Sequence, residues 1–230
     1  MEIILLLSWD VKIMGKYLET AREPISSLSH CIGAIFFALA SVLLIGKSAW
    51  MDSQSSAIIV SVIVFSLSLV ALYSASAIYH FANGSERKIL RLRKLDHSMI
   101  YVLIAGSYTP ILIKFLPQRE SLIFVSVIWA CAIVGVVIKL CWFSAPRWLQ
   151  TVLYLLMGWA VLFDVSIFQQ MSGSALFLLA AGGISYTLGA IIYMMKWPNF
   201  TKACGFHENF HMFILAGSLF HYLLVLFFVA

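Results

Sequence analysis

The chain has 230 residues, 62% of them hydrophobic and only 11% charged, with a mean hydropathy of +0.98. A soluble domain carries about a quarter charged residues, so this composition excludes a water-facing globule and leaves the apolar excess to face lipid. The net charge of +5 does not indicate nucleic-acid binding, because the basic residues lie in loops between apolar runs rather than on one groove-sized face.

In chain order, residues 1–26 read as a cytoplasmic amino-terminal segment and 27–230 as a transmembrane domain of seven helices. The apolar run Ile3–Leu7 is short of the roughly 7–15 residues of a signal-peptide core and follows Glu2, so the first span is expected to double as the targeting signal. Spans are predicted at 27–46, 57–80, 97–115, 121–140, 148–168, 174–194 and 207–229. Each is about 19–24 residues, which suits a hydrocarbon core of about 30 Å at 1.5 Å per residue. A barrel would need alternating strands of about 10 residues instead. The longest polar stretch, Asn83–Lys94, is expected as a cytoplasmic loop forming a helix extension. Pro110 in the third span frees a carbonyl that Ser107, a neighbouring helix or water could satisfy. Neither an internal repeat nor a separate second domain is evident.

Orientation follows from the loop cations. Lys12, Lys16, Arg22, Arg87, Lys88, Arg91, Arg93, Lys94, Lys139, Arg147, Lys196 and Lys202 fall on one side, and only Lys47, Lys114 and Arg119 on the other. The amino terminus is therefore expected in the cytoplasm and, after seven crossings, the carboxyl terminus outside. The four cysteines, Cys31, Cys131, Cys141 and Cys204, show no paired spacing and are expected as buried free thiols.

Ionisable residues are costly in a membrane helix, so their positions are informative. His30 starts the first span, His80 ends the second, His97 starts the third, and His207 and His211 start the seventh. Because successive helices alternate in direction, these five histidines lie at one membrane level, with Asp96 and Glu23 beside them. In His207-Glu208-Asn209-Phe210-His211 the two imidazoles are four residues apart and project to one helix face. With His80 as third ligand they would form a zinc-type site, leaving a fourth position to water. Ser76, one turn before His80, could orient its ring or bind that water, and Asp96 could act as general base. His97 and His221 are expected as interfacial hydrogen-bonders, and Asp164 as a hydrated or paired carboxylate near the outer face. The same five residues also spell the H-E-x-x-H pattern of zinc peptidases, with Glu208 as base. A peptidase would then need its third ligand from upstream, and Glu208 at a helix start can instead serve the helix dipole or orient His207.

These residues resemble a known family. Glu23-x-x-Ser26-x-x-x-His30, Ser76-x-x-x-His80, Leu95-Asp96-His97-Ser98 with Ala105-Gly106-Ser107-Tyr108-Thr109-Pro110, and His207-x-x-x-His211 are similar to motifs of the haemolysin III family, in the same order. That family belongs to the progestin and adiponectin receptor superfamily. Ser26 stands where the family usually has asparagine. The resemblance implies a seven-helix fold with zinc near the cytoplasmic face, held by His80, His207 and His211, with Asp96 linked to it through water and Ser76 beside it. It also implies a likeness to alkaline ceramidases, hence hydrolysis of lipid amides, and a part in membrane lipid homeostasis or haemolysis.

Two classes of function follow as expectations. One is a zinc-dependent hydrolase at the cell membrane (the inner membrane in a bacterium) with membrane lipids as partners and a lipid amide as substrate. The other is a non-enzymatic lipid-sensing receptor or cytolytic protein with a structural zinc. Neutral imidazoles suit zinc, while iron, nickel and copper remain chemically compatible. The sequence is silent on oligomeric state.

Overall fold

The computed structural model describes residues 15–17, 19–50, 55–201 and 205–230. Lys12, Lys202, Cys204 and the run Ile3–Leu7 lie outside the described residues. The described chain is all-α: α1 (Pro24–Trp50), α2 (Ser56–Phe81), α3 (Glu86–Phe115), α4 (Gln118–Cys141), α5 (Arg147–Gly158), a 3-10 turn (Ala160–Phe163), a single helical turn α6 (Ser166–Gln169), α7 (Gly173–Met195) and α8 (Phe206–Phe228). Six of these, α1 to α4, α7 and α8, are long and apolar enough to cross a membrane. The protein is a multi-span helical membrane protein.

Serine hydroxyls fix three helix starts. Ser55, Ser85 and Ser172 sit in extended conformation just ahead of α2, α3 and α7, and each accepts from a backbone N–H three residues on. These satisfy orphan donors that a helix start otherwise leaves open. Of the polar stretch Asn83–Lys94, residues 86–94 form the first turns of α3, as expected for a helix extension, while 83–85 lead into it outside the helix. Pro110 lies within α3 without ending it, and the Ser107 hydroxyl donates to Ile104 rather than to the carbonyl the proline frees.

The helices close into a ring. Sequential neighbours from α1 to α4 pack together, α7 packs on α8, α8 returns to α1, and α5 bridges from α3 and α4 to α7. The inward surfaces are rich in small and hydroxylated residues, among them Ser26, Ser27, Gly33 and Ser41 on α1, while Ile32, Ile35, Leu39 and Val42 of the same helix face outward. This is the reverse of a soluble helix, and small inward residues let membrane helices approach closely. At Gly106 on α3 a side chain would meet the Ser68 hydroxymethyl of α2 at 2.6 Å from its Cβ, so this contact admits only glycine.

The stretch expected as a continuous fifth span, 148–168, is instead broken. α5 stops after 12 residues, or about 18 Å at 1.5 Å per residue. Irregular backbone at membrane depth must find its partners inside the protein. Here the Tyr108 hydroxyl on α3 donates to the Gly158 carbonyl at 2.7 Å and accepts from Val161 N–H at 2.8 Å. One side chain thus satisfies both sides of the break. Beyond it, Asp164 Oδ1 accepts from the backbone N–H and the hydroxyl of Ser166, holding the start of α6.

The three described cysteines are free thiols, but none is buried: Cys31 is half-buried and Cys131 and Cys141 are exposed. In a membrane helix the outward face is itself apolar, so a small hydrophobe has no need of the interior. Lys139 differs from the other loop cations: it is 3% exposed and its ammonium donates to Gln150 of α5 and lies 4.6 Å from the centroid of the Phe143 ring.

Candidate metal centre

The helix ends bring His80 of α2 together with His207 and His211 of α8. Among the described residues this is the group of ligand atoms that could hold a metal ion, all lying within 4.8 Å of one another. His80 and His211 are each 1% exposed. The Nε2 atoms of His80 and His207 stand 3.3 Å apart. Two nitrogens bound tetrahedrally at about 2.0–2.1 Å from one zinc ion would be separated by roughly 3.3–3.4 Å, so this pair already has the spacing that such an ion requires. Neutral imidazoles with no carboxylate among the three are a borderline-soft donor set, and the residues fit the group.

The second ring nitrogen of His80 is held from outside the group. His80 Nδ1 bonds to the Glu23 carboxylate, and Arg22 Nε lies 3.4 Å from the same residue's other oxygen. A carboxylate on the far nitrogen fixes tautomer and ring orientation in a ligating histidine. That bond from His80 holds the Glu23 carboxyl below the usual carboxylate range against its partial burial, with the Arg22 guanidinium adding to the effect. Glu23 reaches this position because the chain ahead of α1 lies along the end of α2: Glu23 N–H donates to the His80 carbonyl at 3.0 Å and Arg22 N–H to that of Phe81 at 3.3 Å. His211 Nδ1 is 3.4 Å from the Ser29 hydroxyl.

Asp96, at the start of the apolar part of α3, is buried, with Ser76 of α2 as its neighbour. Both border the same internal cavity as His207 and His211. His97 borders it too, but is apart from the three-histidine group: its ring stacks on Phe143 and its Nε2 is 3.9 Å from Asp96. His30 is buried and lies flat on His211, with ring centroids 3.6 Å apart. The five histidines expected at one level are therefore at one level, in two functional settings.

Glu208 is engaged elsewhere. Its Oε1 accepts from Ser26 at 2.8 Å and its Oε2 from Gly205 N–H at 2.9 Å. Oε1 ties the start of α8 to that of α1 and Oε2 caps the first turn of α8 itself, which disfavours the peptidase arrangement in which this residue is a free base. Ser26 makes this link despite standing where asparagine is usual. His221 lies further along α8, and Asp164 is occupied with Ser166 outside the cavity.

The cavity, of about 340 Å³, runs from the histidines between α2, α3, α5, α7 and α8 toward Phe168, Leu176 and His221. Its size lies within the roughly 300–1,000 Å³ of small-molecule sites. Its walls are mainly apolar, with Asp96, His97, His207 and His211 at one end and His221 toward the other. Sequence reading did not locate this chamber. Its sequence trace is the broken span, whose Gly158, Trp159 and Val161 form part of the wall.

Against known proteins, a family model described as haemolysin-III related matches residues 18–222. The chain belongs to the haemolysin-III family. A "Hemolysin-3 homolog" of Bacillus subtilis (strain 168) is 35% identical over 211 residues, covering 91% of this chain and 95% of the relative. "Hemolysin-3" of Bacillus cereus is 32% identical over 221 residues, covering 94% and 96%. An "Adiponectin receptor protein" of Drosophila melanogaster is 27% identical over 213 residues, with 84% of this chain and 48% of the relative covered. Homology of this haemolysin-III protein thus extends, more weakly, toward the adiponectin-receptor superfamily. It is a haemolysin-III-like membrane protein with a histidine cluster suited to a metal ion.

Proposed function

We propose that this haemolysin-III protein is a zinc-dependent hydrolase that cleaves the amide bond of a membrane lipid, with its metal site near the cytoplasmic face. The observation that carries this reading is the placement of Asp96, His207 and His211 on the wall of one mainly apolar cavity, with His80 grouped against the two histidines. A lipid would lie with its chain in the cavity and its amide among the polar groups. The broken segment 147–169 is the fifth of seven crossings, and residues 1–26 lie in the cytoplasm. In support, Arg147 at its start packs on Tyr193 near the end of α7, at the level of the histidines.

His80, His207 and His211 would hold the ion, oriented by Glu23 and by Ser29. Bound zinc polarises a carbonyl and lowers the pKa of a coordinated water to about 7. Asp96 accepts the proton that the attacking water releases and returns it to the departing nitrogen, so that amide and water become carboxylic acid and amine. Ser76, beside Asp96 on the cavity wall, would hold its carboxylate toward the ligand. The enclosing walls keep bulk water from the chain.

Turnover of long-chain N-acyl lipids by zinc-loaded protein, read by mass spectrometry as fatty acid released, tests this. General-base catalysis contributes about 10²–10⁴-fold, so Asp96→Asn is expected to lose turnover by that factor while still binding metal. Full activity in Asp96→Asn would overturn the role of Asp96. Lipid binding without turnover across N-acyl substrates would favour the receptor reading, which uses the same cavity.

A further inference from the structure

His221 is a buried ionisable side chain for which the hydrolase reading has no use. It lies ten residues beyond His211 on α8, about 15 Å along the axis, and borders the far part of the cavity while only 8% exposed. An ionisable residue at this depth marks a ligand site or pathway more often than mere filling.

The position is built for the imidazole. Opposite it on α7 is Gly182, and any Cβ there would overlap the His221 ring. Tyr186 meets the ring edge-on, with centroids 5.4 Å apart. His221 Nε2 lies 3.4 Å from the Leu179 carbonyl. A carbonyl can only accept, so this contact places the proton on Nε2 and leaves Nδ1 as an acceptor. That Nδ1 is buried and has no partner among the described residues. The neighbouring polar groups are committed: Tyr186 to Ser218 at 2.8 Å, Tyr73 to the same Ser218 at 2.7 Å, and Thr187 to the Gly183 carbonyl at 2.7 Å. An unpaired buried acceptor keeps its whole desolvation penalty until a donor arrives.

We propose that His221 is a specificity determinant of the cavity, accepting a hydrogen bond at Nδ1 from a hydroxyl in the middle of the ligand's chain. This inference rests on the acyl-chain reading of the cavity given above. An extended chain advances roughly 1.3 Å per carbon–carbon bond of about 1.5 Å, so a group 15 Å from the histidine cluster lies about twelve carbons from the head. The ligand class is therefore a long-chain lipid with a mid-chain hydroxyl. A ketone at the same carbon has no proton to donate and would gain nothing.

The test is binding of stearic, 12-hydroxystearic and 12-oxostearic acids to the purified full-length protein, followed by native mass spectrometry from detergent. Wild type is expected to bind the hydroxy acid about tenfold more tightly than the other two, the net effect of one buried hydrogen bond. In His221→Leu all three acids should bind alike. Equal binding of the three acids by wild type would overturn the assignment of His221 and leave the acyl-chain reading intact, as would equal preference for the oxo and hydroxy acids. Binding of none of them would overturn the acyl-chain reading, and this inference with it. The wild-type comparison needs no variant to fold.

Discussion

At the scale of single residues, the histidine cluster depends on groups that are not themselves ligands. Glu23 fixes the His80 ring from the side away from the cluster, and Glu208 with Ser26 fixes where α8 begins relative to α1. Outer-shell partners of ligating histidines typically cost 10–100-fold in metal affinity when removed. Glu23→Gln, which keeps size and loses the charge, is expected to weaken zinc binding by about that factor in competition with a chromophoric chelator. An unchanged affinity would mean that His80 is oriented by packing alone. The meeting of His207 and His211 in one group was legible from spacing, because residues four apart share a helix face. The pairing of Glu23 with His80 was not: the sequence places the glutamate just ahead of α1, and only the path of the chain along the end of α2 brings it to that imidazole.

At the scale of elements, the informative feature is the break between α5 and α6. Hydropathy alone reads 148–168 as one span, since the residues are mainly apolar and Asp164 near the end is the only charged one. What hydropathy does not carry is the tyrosine on another helix that satisfies the interrupted backbone. Leaving a buried polar group unpaired costs about 1–3 kcal/mol. Tyr108→Phe removes the partner of both the Gly158 carbonyl and the Val161 N–H, and is expected to lower stability by a few kcal/mol, seen as an earlier thermal or denaturant midpoint in detergent. A midpoint equal to wild type would show that the break finds other partners. The other helices were legible to within a few residues at most ends, because long apolar runs between cationic loops leave little choice in a bilayer. α1 and α3 extend beyond their predicted spans because hydropathy marks the apolar core of a helix and not its polar first turns.

At the scale of the whole molecule, the ring of helices separates an outward apolar surface from an inner chamber with the histidine cluster and Asp96 at one end. The convergence of the histidines at that end was legible, because alternating helix direction alone puts His30, His80, His97 and His207 at one level. The chamber was not, because a cavity is the space left by packing and no residue type announces it. The exposed thiols Cys131 and Cys141 make the same point in reverse, since burial in a membrane protein cannot be inferred from apolarity. The most direct test of the account is the metal content of protein purified in detergent without chelator, measured by inductively coupled plasma mass spectrometry for wild type, His80→Ala and His207→Ala. The account predicts about one zinc per chain in wild type and its loss in both variants. Well-folded wild type without metal, or zinc retained by both variants, would contradict it.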